Sequence, residues 1–104
     1  MHQNPDSEAA QRRELHRIIL ALSVREKRAM TREMFPGARQ HLRGDFLVLD
    51  FSQEENFSGQ IVILHLPSMC WHAFEMSVEQ ALDMLEAGKD LDGLLNLITH
   101  SAEN

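Results

Sequence analysis

Asp45-Phe-Leu-Val-Leu-Asp-Phe-Ser52 and Gln60-Ile-Val-Ile-Leu-His-Leu66 decide the fold of this chain. Both are short runs rich in β-branched and aromatic residues, bounded by turn formers, and they read as two strands. The polar segment Gln53–Gly59 between them closes in Ser58-Gly59, so a hairpin with a somewhat long loop is the economical connection. Apolar residues stand on both faces of each run near its middle, which predicts that the sheet is covered by more than one layer. Residues 69–76 are expected to add a third strand, because Pro67-Ser68 makes a turn and Cys70, His72, Phe74 and Met76 alternate with Trp71, Ala73 and Glu75.

Helical periodicity appears on both sides of this centre. Leu15, Ile18, Ile19 and Leu22 repeat along one face of a helix expected over 7–22, with Asp6 or Ser7 available to cap its first amides. Ser23 and Glu26 have the spacing of a capping box, so a second helix should begin at Val24 almost without a loop and stop by Phe35, before Pro36-Gly37. Residues 38–44 are expected to form a short helical turn before Gly44. In the last third, Ser77 and Gln80 form another capping box, Val78, Ala81, Leu82 and Leu85 make an apolar stripe, and Gly88 stands where a helix ends. Asp90 can cap a final helix carrying Leu91, Leu94, Leu95 and Ile98. The expected order is ααβββαα: an α+β fold with two N-terminal helices, a three-stranded antiparallel meander and two C-terminal helices.

A chain of 104 residues with 43% hydrophobic and 25% charged content suits one domain with one modest core, with residues 1–5 and 101–104 frayed for want of apolar anchors. No run approaches the ~20 apolar residues that span a bilayer. The N-terminus carries no hydrophobic leader pattern, and the single cysteine, Cys70, suits a reducing compartment. A cytoplasmic location without a membrane partner is therefore expected.

Charge divides sharply along the chain. Nine of the ten Lys and Arg residues precede Asp45, and eleven of the sixteen carboxylates lie from Asp45 onward, within a net charge of -6. Arg25, Arg28 and Arg32 share one face of the second helix, with Arg39 and Arg43 continuing the positive stretch. Such a face suits phosphate, but the chain is acidic overall and two helices joined without a turn match a helix-turn-helix poorly. Glu79, Asp83 and Glu86 form an acidic strip at i, i+4 and i+7, suited to a basic protein or to the basic helices of a second copy. A solvated face that pairs with the other half of the chain is the plainer reading of both groups.

Met69-Cys70-Trp71-His72 gathers the only Cys and the only Trp beside a His. Cys70, Trp71 and His72 are candidates for a pocket, although a buried, inert Cys70 with Trp71 packed under a helix is the simpler expectation. Neither the paired Cys or His spacing of a zinc site nor a phosphate-cradling glycine loop is present, and no Lys or Arg accompanies the acids between Asp45 and Gly88. No metal, cofactor or catalytic centre is expected. The sequence thus points first to a small, homodimeric protein-interaction or adaptor module. A nucleic-acid-binding regulator acting through its Arg-rich helix comes second, and a small-molecule-binding domain with a Met- and Phe-walled pocket between sheet and helices third.

Overall fold

The computed structural model describes residues 5–52 and 59–103. Eight elements follow one another: α1 (Pro5–Ala21), α2 (Val24–Met34), β1 (Arg39–Arg43), β2 (Phe46–Asp50), β3 (Ile61–His65), β4 (Cys70–Phe74), α3 (Val78–Ala87) and α4 (Leu91–Glu103). The strands form one antiparallel sheet in the order β1-β2-β3-β4. The fold is α+β with the order ααββββαα, one strand more than the sequence suggests.

The additional strand is β1, where a short helical turn was expected. Arg39-Gln40-His41-Leu42-Arg43 holds a single apolar residue, so no hydrophobic alternation announces it. Pairing with β2 supplies the missing order: five register pairs run from Arg39 opposite Asp50 to Arg43 opposite Phe46. Gly44, at φ +59, takes the left-handed backbone that a tight connection between two strands favours. The strand expected within residues 69–76 is present as β4. The loop expected over 53–59 lies almost wholly outside the described residues.

Two helices, α2 and α3, begin where local chemistry predicts. Ser23 and Glu26 exchange both capping-box hydrogen bonds at the start of α2, and Ser77 and Gln80 do so at α3. Gly88 closes α3 at φ +66. By contrast, α1 starts at Pro5, so Asp6 and Ser7 lie inside the helix rather than before it. Proline is well suited to a first helical position, because its φ is already helical and its missing N–H is not needed there. Of the ends expected to fray, 1–4 and 104 lie outside the described residues, whereas Pro5 belongs to α1 and 101–103 to α4.

Alternation along β2 and β3 creates two cores. Phe46, Val48, Ile61 and Ile63 face α3 and α4, packing with Ala81, Leu85, Leu94 and Ile98. Leu47, Leu49, Val62, Leu64 and Leu66 face the other way, toward Phe35, Ala38, Phe51 and Met69. The helix leading to Phe35, α2, turns Lys27 and Thr31 inward on this second face. Layers on both sides explain why β2 and β3 read as continuous apolar runs: each fully buried Leu or Ile is worth about 1.5–3 kcal/mol, and no position could be left to water.

Neither core includes a residue of α1 among those described. Leu15 is 59% exposed and Ile18 51%, whereas Ile19 and Leu22 are half-buried. The molecule measures 51 × 32 × 26 Å with a radius of gyration of 15.5 Å, against about 13 Å for a compact chain of this length. A 17-residue helix about 25 Å long that stands outside the layered body accounts for that elongation.

Candidate interaction surface

The charge poles that lie apart in the sequence meet in the fold. On β1 the side chains of Arg39, His41 and Arg43 share the face covered by α3 and α4, since their register partners are Asp50, Val48 and Phe46. The Arg43 Nε donates to Glu86 Oε1 at 2.9 Å, joining β1 to the acidic side of α3. His41 Nε2 lies 3.9 Å from Asp50 Oδ2. Burial pushes the Asp50 carboxyl up, but donation from Ser52, reinforced by the charges of His41 and Arg39, outweighs it and leaves the pKa below the ordinary carboxylate value. Glu86 is therefore engaged within the chain, while Glu79 and Asp83 remain exposed.

The basic trio is likewise divided. Arg25 and Arg32 are exposed, but Arg28 Nε donates to Gln40 Oε1 at 3.0 Å and Gln40 Nε2 returns a bond to the Arg28 carbonyl at 3.0 Å. This reciprocal clamp holds α2 against β1. Lys27, which the sequence did not single out, is only 5% exposed and donates from Nζ to the Pro67 carbonyl at 3.1 Å, tying α2 to the turn between β3 and β4. Its burial follows from its offset to the buried Thr31 one turn on and the half-buried Phe35 two turns on, a signal masked by its charge.

Strand alternation separates Cys70, Trp71 and His72. Cys70 and His72 face the layer of α3 and α4, with Cys70 half-buried against the first core and His72 edge-on to Phe74 at 4.8 Å. Trp71 points the other way. Its ring meets Phe35 edge-on at 5.1 Å, and 42% of the residue stays exposed. The residue across the ladder from Cys70 is His65, whose Nδ1 is 2.8 Å from Ser68 Oγ. Burial lowers the His65 pKa; the Asp45 charge opposes that shift and the Lys27 charge adds to it. The Ser68 hydroxyl also accepts from the Cys70 amide at 3.3 Å, so this cluster is spent on building the tight turn in which Met69 takes φ +59. Among the described residues, no three His, Cys, Asp or Glu side chains are grouped to hold a metal ion.

Clefts of about 400 Å³ flank α3 at the two ends of its junction with the sheet, one beside Arg43 and Glu86 and one beside Asp50 and Glu79. Between them, side chains with little or no exposure pack the junction of α3 and the sheet. Exposed large apolar side chains lie elsewhere, among them Leu15, Ile18 and Leu20 on α1, Val24 on α2, Trp71 on β4 and Leu97 on α4. No described helix is long and apolar enough to cross a membrane.

The fold and this surface define a small α+β protein whose antiparallel meander is covered on both faces and whose first helix stands outside the cores. Comparison of the chain with protein-family models, curated proteins and solved structures finds no match.

Proposed function

We propose that this protein is a small, non-catalytic interaction module that works as a homodimer, with α1 as its principal contact element. One observation carries the reading: Leu15 and Ile18 lie on the apolar stripe of a 17-residue helix, yet both are more than half exposed. Apolar side chains exposed side by side on a small folded protein suit an interface. A second copy is the most economical cover, since two-fold dimers are the commonest assemblies of soluble chains.

Nucleic-acid binding through Arg25, Arg28 and Arg32 has less support. Arg28 is committed to Gln40, Arg43 is balanced by Glu86, and the chain as a whole repels phosphate at -6. A free, half-buried Cys70 suits a cytoplasmic setting for such a module.

Molar mass in solution tests the proposal. Light scattering should give twice 11.9 kDa, and the dimer should persist in ~0.5 M salt, where exposed charge pairs are screened but apolar contact is not. Ile18→Glu should give the monomer mass. A wild-type protein that stays monomeric at all accessible concentrations refutes the reading.

A further inference from the structure

We infer that α1 of one copy docks on the open half of the second core's sheet face in another copy, along Trp71 and Ala73 of β4, and that the exchange is reciprocal. This inference rests on the homodimer reading above and specifies its interface.

The two faces of the sheet are unequally covered. On one, α3 lies over β1 and β2 while α4 lies over β3 and β4. On the other, α2 turns Lys27 and Thr31 inward, its C-cap residue Phe35 packs on the second core, and the outermost strand leaves Trp71 and Ala73 exposed. Phe35, edge-on to Trp71, forms one wall of this shelf. A helix laid there, at the usual 8–10 Å from α2, would give this face two helices like the other.

The chain contains a helix of suitable character whose apolar side is only partly covered, since Ile19 and Leu22 are half-buried while Leu15 and Ile18 are exposed. Arg12, Leu15 and Ile18, all exposed, extend about 9 Å along α1, within the ~17 Å length of a five-residue strand. Leu15 and Ile18 are not covered by their own chain. Arg12 lies three residues before Leu15 and seven before Ile19, so it borders the stripe. Glu75, exposed and next in the alternation after Ala73, offers it an opposite charge, and the indole face offers a cation–π contact. Stable complexes bury roughly 1,600 Å². Reciprocal exchange doubles the area and closes the assembly, which favours a second copy over an unrelated helix.

Trp71 reports on this contact directly, because the chain has one Trp and no Tyr. In a dilution series of the wild type, Trp emission should move to longer wavelength in step with dissociation of the dimer. Ile18→Glu, which spoils the arm, and Ala73→Glu, which blocks the shelf, should each be monomeric with red-shifted emission. Mixed at equal concentration, they should form heterodimers, since one copy keeps an intact arm and the other an intact shelf. Both substitutions are at exposed positions, and far-UV circular dichroism checks their folding, while the wild-type dilution series needs no variant. A dimer that forms without any change in Trp emission and tolerates Ala73→Glu overturns this interface but leaves self-association standing. A monomer at every concentration overturns both. A monomer whose emission nevertheless shifts in Ile18→Glu means that α1 closes on its own chain, which also overturns the exchange.

Discussion

Arg43 on β1 and Glu86 on α3, 43 positions apart, meet with an Nε to Oε1 distance of 2.9 Å. The contact reaches across the division of charge that dominates the sequence, so part of the positive half and part of the negative half neutralise each other within one chain. Both side chains are substantially exposed, and exposed pairs are worth ~0–1 kcal/mol. Glu86→Gln is expected to lower the melting temperature by no more than a few degrees, with the difference shrinking in salt. A loss that persists undiminished at high ionic strength would contradict this account.

Lys27 should matter more than its residue type suggests. Lys27→Ala removes both the packing of its buried stem and the donor to the Pro67 carbonyl, for an expected loss of ~1–3 kcal/mol. Lys27→Met keeps the volume and should lose less. Urea unfolding of the two variants separates the contributions.

The core bears the largest single effects. Ile63 and Leu64 are neighbours on β3, fully buried on opposite faces. Each should cost ~2–5 kcal/mol when cut to Ala, because the lost transfer energy is joined by a cavity the packed layers cannot close. Similar losses, measured as urea midpoints, would show that both faces are structural; near-neutrality of Leu64→Ala would mean that the α2 face is loosely packed.

Two titrations shape stability against pH, both in the same direction. His65 has a folded pKa below its ordinary 6.5, so the unfolded chain takes up this proton first as pH falls. Stability is full above that value, declines as pH drops through the folded pKa, and then levels. Asp50 is also lowered, from 3.8, so its contribution is present above that pH and is lost only in stronger acid. Urea midpoints from neutral to acid pH should show the two declines separately; His65→Gln should remove the first and Asp50→Asn the second.

Much of the architecture is written in local pattern. The apolar runs at 46–49 and 61–64, the two capping boxes and Gly88 each act over a few residues, so β2, β3, α2, α3 and the end of α3 follow from neighbours in the chain. β1 does not, because a polar edge strand is held by its ladder to β2 rather than by its own composition. The candidate residues were legible as chemical types but not as groups. Strand alternation turns Trp71 away from Cys70 and His72, and the clamp to Gln40 removes Arg28 from an apparently uniform basic face.

By itself, then, the sequence determined the type of every element but β1, the two-sided sheet and the imbalance of charge, since these depend on periodicity and composition. Only the tertiary structure decided which charges meet, that Lys27 is buried, and that the stripe of α1 lies outside the cores. Those outcomes depend on which surfaces the layers have room to cover, and helical periodicity is the same whether a face meets the interior of its own chain or is left for another.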